Sequence, residues 1–134
     1  MSVARSRQKR RGGTPPFFQL QHRLLDLPAF IALPSTAKAL LLDMGRQYKG
    51  YNNGDLCVTL KVLEPRGWNS SDTMRRALRA LMDAELVMLT RQGGRNLCSL
   101  YAFTWLPINE CGGKLDVAET TTPPIPLHAH PSLK

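Results

Sequence analysis

Long hydrophobic runs are missing from this sequence. No apolar stretch approaches the ~18 residues that a membrane-spanning helix requires, and no apolar segment of a secretory signal follows the basic first residues. We therefore expect no membrane partner. Cysteine is scarce as well. The chain has three cysteines, Cys57, Cys98 and Cys111, and an odd number does not suit a disulfide scaffold. These absences predict a cytoplasmic protein.

Motifs that carry catalysis or metal binding are also absent. The sequence contains no GxxxxGK[ST], HExxH or CxxC pattern and no Ser/His/Asp order of note. Its carboxylates are scattered over different predicted elements, whereas a nuclease needs two or more that converge on a metal ion. His128 and His130 form the one tempting metal-binding pair, but they lie among prolines without an evident third ligand. The sequence predicts a protein without enzymatic activity, metal or cofactor.

Acidic residues are missing from the N-terminal part, where positive charge accumulates. Residues 1–25 contain six of the 18 lysines and arginines and no acid, whereas the other 12 bases stand against 10 acids. A basic block broken by Gly and Pro is typical of a disordered segment that binds a polyanion, nucleic acid first and an anionic membrane second. We predict a disordered basic arm over residues 1–16. A tail that only aids solubility is the alternative. The candidate DNA-binding residues of this arm are Arg7, Lys9, Arg10 and Arg11.

The strongest helical pattern follows Gly67. Ser70 suits an N-cap, and Asp72 places a negative charge in the first turn, where the helix dipole favours it. The apolar residues then recur at helical spacing. These signals predict a helix over Ser70–Ala84, with Trp68, Leu78 and Leu81 in the core. The apolar stripe consists of Met74, Ala77, Leu78, Leu81 and Ala84.

Two strand patterns come after this helix, over residues 86–90 and 100–105. Between them, residues 92–96 form a turn whose glycines, Gly93 and Gly94, are free to take positive φ. Tyr101, Phe103 and Trp105 alternate along the second strand. They could stack on bases, but we expect them to pack in the core or in an interface.

Upstream, the chain shows signals for a first helix and a short second one. Ser35 is the expected N-cap of a helix over residues 36–48, and residues 55–58 are a candidate short strand. Thr59 can cap a second helix, which Pro65 interrupts because proline lacks a backbone donor. After Trp105 the Pro- and Thr-rich segment is incompatible with regular elements. We predict a domain over residues 17–110 and an extended or disordered tail over residues 111–134.

The order of elements predicts an α+β fold of the winged helix-turn-helix type. Its core has three helices and a C-terminal two-stranded β wing, flanked by disordered tails. Seven groups of residues form a pattern along the chain: Leu33, Ala37, Leu40 and Leu41; Gln47, Tyr48, Gly50 and residues 52–56; residues 66–68; Asp72, Thr73, Ala77, Leu78 and Leu81; residues 90–94; residues 98–102, Thr104 and Trp105; and residues 111–116. In this pattern residues 17–116 resemble small winged-helix proteins of bacterial and phage mobile elements.

The resemblance implies DNA binding in transcription regulation or in replication of a plasmid, phage or integrated element. The sequence departs from the family at Pro65 and at Ala84-Glu85, where a helix-ending glycine is usual. We therefore expect a less well-defined end to the predicted recognition helix.

The predicted partner is double-stranded DNA, read by the N-terminal half of the helix in the major groove and held by the hairpin at the backbone. Whether the protein forms a homodimer is open. The rival hypothesis is a winged-helix protein-interaction module, which a large apolar patch on this face would favour. The candidate DNA-binding residues are Ser70, Ser71, Arg75, Arg76 and Arg79 on the helix, with Arg91, Gln92, Arg95 and Asn96 in the hairpin.

Overall fold

A computed structural model describes residues 14–131, which form a mixed α+β fold, as the sequence predicts. These residues contain five α-helices and one three-stranded antiparallel sheet. Short 3-10 helices lie at Glu64–Arg66, Cys111–Gly113 and Leu127–Ala129. The helices and strands, in chain order, are α1 (His22–Leu25), α2 (Pro28–Ile31), α3 (Ser35–Gln47), β1 (Leu56–Cys57), α4 (Leu60–Leu63), α5 (Ser71–Asp83), β2 (Val87–Arg91) and β3 (Leu100–Phe103).

Helix α3 begins one residue earlier than the sequence predicts. Pro34 is its N-cap residue, and the Pro34 carbonyl accepts hydrogen bonds from the backbone N–H groups of Ala37 and Lys38 at 3.0 and 3.1 Å. Ser35 therefore lies inside the first turn, so its assignment as N-cap is wrong. The predicted apolar face is confirmed at Ala37, Leu40, Leu41 and Met44, which are all buried.

Helix α4 is short, as predicted. The Thr59 side chain accepts a hydrogen bond from the backbone N–H of Val62 at 3.3 Å, which confirms it as the N-cap. The α-helix ends at Leu63, and Pro65 lies in the 3-10 turn that follows. Gly67 then reverses the chain with a φ of 101° that favours glycine.

Trp68 fastens this turn to α3. Its indole nitrogen donates to Asp43 Oδ2 at 2.7 Å, and Arg66 Nε donates to Asp43 Oδ1 at 2.9 Å. Trp68 is half-buried. Leu78 is also half-buried, whereas Leu81 is fully buried. The predicted core position is therefore confirmed for Leu81 only.

Helix α5 packs against α3 through Met74, Ala77 and Leu81. Ser70 is confirmed as its N-cap, since Ser70 Oγ accepts from the Thr73 N–H at 3.2 Å. The expected poorly defined C-terminus is wrong. Backbone bonds from Glu85 to Met82 (2.9 Å) and from Leu86 to Leu81 (3.1 Å) close the helix in the Schellman pattern.

The sheet has the strand order β1-β3-β2. A two-stranded wing is therefore wrong, because Leu56 and Cys57 add a third strand that pairs with Tyr101 and Leu100. On the other side of β3, Val87 pairs with Phe103, and the register shifts between Leu89 and Arg91. The sequence indicates a strand at residues 55–58 but not its partner, since the pairing spans more than 40 residues.

Residues 111–131 pack on the domain instead of leaving it. Their backbone N–H groups reach back to earlier carbonyls, from Asp116 to Thr90 at 2.8 Å and from Ile125 to Thr104 at 3.0 Å. Leu127 belongs to the same hydrophobic cluster as Leu24 and Leu41. Most of this segment is extended, but its hydrogen bonds and its buried leucine join it to the domain.

Candidate nucleic-acid interface

The outward face of α5 carries three arginines. Because Met74, Ala77 and Leu81 turn toward α3, the opposite side of the helix faces solvent. Arg75, Arg76 and Arg79 are exposed there, together with Ser71 in the first turn. Ser70 is half-buried, and its hydroxyl is already engaged in capping the helix.

Asp72 lies among these arginines. Its carboxylate oxygens are 2.6 Å from Arg76 Nη2 and 3.7 Å from Arg75 Nη2. The three side chains are 64–76% exposed, and ion pairs in that setting contribute ~0–1 kcal/mol because water screens them. The arginines can therefore leave Asp72 for a stronger anion. Arg79 is in none of the ion pairs formed within residues 14–131.

The hairpin after α5 ends in a tight turn at Arg95 and Asn96. Gly94 and Leu97 close this turn with backbone hydrogen bonds of 2.8 and 3.1 Å. Asn96 has a φ of 58°, a conformation that asparagine tolerates. Neither Gly93 nor Gly94 has positive φ, so that prediction is wrong. Arg95 and Asn96 are both exposed at the tip.

Gly93 fits in the loop because it has no side chain. A Cβ at this position would lie 2.5 Å from Ser99 N and 2.6 Å from the Leu97 carbonyl oxygen. The two sides of the loop therefore approach too closely for any side chain. The Gly93 N–H also donates to Ser99 Oγ at 2.9 Å, which fixes the approach.

Arg91 turns inward, unlike the hairpin tip. Its Nη2 donates to the Cys98 carbonyl oxygen at 2.8 Å, and its Nε is buried without a hydrogen-bond partner in the described part of the chain. Gln92 is exposed, and its backbone N–H donates to Asp116 Oδ2 at 2.8 Å. The predicted hairpin residues therefore divide into an exposed tip and a base that holds the loop in place.

A cleft of about 530 Å³ lies between α5 and the base of the hairpin. Arg75 and Arg79 line it from α5, and Ser99 and Tyr101 line it from the β3 side. Burial raises the pKa of Tyr101 above its usual value. Ser99 and Tyr101 could not be predicted as site residues from the sequence, because their approach to α5 depends on tertiary packing. The remaining lining is mostly apolar and comprises Val58, Leu60, Met74, Leu78 and Met82, with Thr59.

Two of the three alternating aromatic residues pack inside. Phe103 and Trp105 are buried with ring centroids 4.6 Å apart, and Phe18 stacks on Phe103 at 5.3 Å. The prediction that these rings pack is confirmed for Phe103 and Trp105. They are not available to stack on bases.

The N-terminal candidates Arg7, Lys9, Arg10 and Arg11 lie outside the described residues. Among residues 14–131 no three metal-binding side chains converge. No helix of this part has the length and apolarity to cross a bilayer.

No protein-family model matches the chain, and no curated protein or solved structure is significantly similar to it.

Proposed function

We propose that this protein is a winged helix-turn-helix protein that binds double-stranded DNA in a sequence-specific manner. The order of α3, β1, α4, α5, β2 and β3 supports this proposal. It provides three helices, a small strand and a C-terminal hairpin in the succession of a winged helix. In this arrangement α5 is the recognition helix, and the loop between β2 and β3 is the wing.

The observation that carries the proposal is the shared position of the helix arginines and the hairpin. Arg75 and Arg79 are exposed on α5 and border the same cleft as Ser99, which lies at the base of the hairpin. A duplex laid against α5 would therefore also meet the hairpin. The 13-residue helix is about 20 Å long, and a major groove about 12 Å wide admits it.

Each part of this face has a separate role. Arg75 and Arg79, four residues apart, are suited to bidentate contacts with guanine O6 and N7. Arg76 and the hairpin tip at Arg95 and Asn96 are suited to phosphates, which position the protein without reading sequence. Arg91 supports the tip indirectly, because its guanidinium is engaged with the return of the loop.

The distribution of exposed apolar side chains supports DNA over a protein-interaction module. The large exposed hydrophobic residues of the described chain are Phe17, Ile31, Leu42, Tyr51, Val62 and Leu97. None of these lies on α5, and Leu97 alone lies in the hairpin. A docking surface for another protein on this face would need a larger apolar patch.

The biological process rests on the resemblance to winged-helix proteins of mobile elements. We propose transcription regulation or replication of a plasmid, phage or integrated element. The operator or origin sequence would be identified by selection of binding sites from random duplex DNA with the full-length protein.

The selected duplex then tests the proposal. Arg75→Ala and Arg79→Ala should each weaken binding by ~1–3 kcal/mol, the scale of a bidentate base contact. The loss on a scrambled duplex should be smaller. Arg46→Ala is the matched control, since Arg46 is an exposed arginine of α3 that borders a different groove. Failure to enrich any sequence, or equal losses for all three variants, would reject specific DNA reading by α5.

A further inference from the structure

Cys57 and Cys98 lie together on the sheet. Cys57 pairs with Leu100 across β1 and β3, and Cys98 lies two residues before Leu100. Side chains two residues apart in extended chain point to the same face, so the two thiols are diagonal neighbours. Both residues are only half-buried. The pair is therefore close and remains accessible to small reagents.

The surroundings hold both sulfur atoms in place. Cys57 Sγ is 3.8 Å from Thr59 Oγ1. Arg91 Nη2 lies 3.7 Å from Cys98 Sγ and 2.8 Å from the carbonyl oxygen of the same residue. The guanidinium thus fixes the backbone and the thiol of Cys98 together. Burial raises the pKa of the Cys57 thiol, and the neighbouring Cys98 thiol raises it further.

We infer that Cys57 and Cys98 form a dithiol that hydrogen peroxide converts to an intramolecular disulfide. The Cys98 thiolate attacks one peroxide oxygen, the O–O bond breaks, and one water leaves after protonation. The Cys98 sulfenic acid is then attacked by Cys57 sulfur, which forms the S–S bond and expels a second water. Two thiols are oxidised, and one peroxide is reduced to two waters. Cys98 is the attacking thiol because the Arg91 guanidinium, with Nη2 3.7 Å from its sulfur, faces the negative charge of the thiolate. Cys57 is then the resolving thiol.

The geometry predicts a disulfide that is readily reduced. Diagonal neighbours in an antiparallel pair have Cα atoms about 7–8 Å apart, whereas disulfides usually need about 4.4–6.8 Å. To close the bond, the segment that carries Cys98 must leave the position in which Arg91 holds it and move toward β1. Strained disulfides have more oxidising potentials and are the labile ones. We therefore expect dithiothreitol to restore both thiols.

Cys111 provides a matched control within the same chain. It is also half-buried, and burial raises its pKa as well. Its sulfur interacts with the Asn53 carbonyl oxygen at 3.6 Å instead of another thiol. If accessibility alone determined oxidation, Cys111 would behave like the other two cysteines.

The experiment treats the full-length protein with hydrogen peroxide, denatures it, alkylates the free thiols and measures the intact mass. The number of alkylated thiols should fall from three to one, and reduction with dithiothreitol should restore three. Chymotryptic peptides locate the bond, because Tyr101 and Phe103 separate Cys98 from Cys111. A linked pair containing Cys57 and Cys98 is expected.

Three variants sharpen the test. Cys111→Ser should retain the peroxide-induced bond, whereas Cys57→Ser and Cys98→Ser should lose it. Cys57→Ser should instead accumulate a sulfenic acid at Cys98, which dimedone traps. Circular dichroism melts of the reduced variants check that each one folds. Three alkylated thiols after peroxide treatment, a bond that includes Cys111, or a disulfide-linked dimer would overturn the inference. None of these measurements involves DNA, so the outcome is independent of the proposed DNA binding.

Discussion

Asp72 and Arg76 pair one turn apart at the start of α5, with 2.6 Å between Oδ2 and Nη2. The same carboxylate lies 3.7 Å from Arg75 Nη2, so one acid forms ion pairs with two of the three arginines on this face. The Asp72 carboxylate stabilises the helix by its interaction with the positive end of the helix dipole, but it would repel phosphate on a bound duplex. A carboxylate at residue 72 therefore favours the stability of the helix but disfavours its proposed binding to DNA.

Replacement of Asp72 by Asn should strengthen binding to random duplex DNA. Removal of the competing anion frees Arg76 for phosphate, and each added phosphate contact steepens the plot of log affinity against log salt by about 0.9. Fluorescence anisotropy over a salt series measures that slope. Asp83→Asn is the control for net charge, since Asp83 is an exposed acid in the last turn of α5. Equal slopes for both variants would contradict a specific role for Asp72.

Deletion of residues 1–13 should flatten the same plot. These residues contain the five cations Arg5, Arg7, Lys9, Arg10 and Arg11 and no acid. If they neutralise phosphates, the magnitude of the slope should fall by ~3–5, on the selected and the scrambled duplex alike. A full-length protein with these five residues changed to Gln should match the deletion. An unchanged slope in both would show that the arm does not contact DNA.

Glu85→Gly should stabilise the protein. Glu85 has a φ of 61°, and the left-handed conformation costs a non-glycine residue roughly 1–2 kcal/mol. The greater freedom of glycine in the unfolded chain offsets about 0.4–1 kcal/mol of that relief. We expect a net gain of ~0.5–1 kcal/mol in chemical denaturation. Glu85→Ala removes the carboxylate but keeps the strained backbone, so it should show no such gain.

Asn53→Leu should destabilise the fold strongly. Asn53 is fully buried, its Nδ2 donates to the Phe103 and Pro107 carbonyls at 2.9 and 3.0 Å, and its Oδ1 accepts from the Phe103 N–H at 2.9 Å. An apolar side chain would leave these groups buried without partners, at about 1–3 kcal/mol each. We expect a loss of ~3–5 kcal/mol in urea denaturation. Asn52→Leu should cost less, because that residue is half-exposed. Similar losses at both positions would contradict this account.

Local chemistry made several features predictable from the sequence. Ser70 and Thr59 were identifiable as caps because capping depends on residues three positions apart. The interruption at Pro65 follows from its missing donor, and the α3 and α5 stripes follow from helical periodicity. For the same reason, the exposure of Arg75, Arg76 and Arg79 could be read from the helix register.

Long-range pairing made other features inaccessible. The addition of β1 to the sheet depends on two residues that meet Tyr101 and Leu100. The inward turn of Arg91 depends on the path of Cys98, and the role of Gly93 depends on how closely Ser99 approaches. Sequence spacing carries no signal for these distances. The two glycines correctly indicated a turn. Its tip, however, lies at Arg95 and Asn96, so Asn96 has the positive φ.

The presence of Leu24 and Leu127 in one hydrophobic cluster has a kinetic consequence. Contacts between such distant residues require closure of most of the chain before they contribute free energy. The helices α3 and α5 can associate earlier, since only residues 48–70 separate them. We expect refolding in which this helix pair forms first and residues 111–131 dock last. The Thr90 and Thr104 carbonyls, which accept bonds from that segment, should then be among the last groups to lose contact with water.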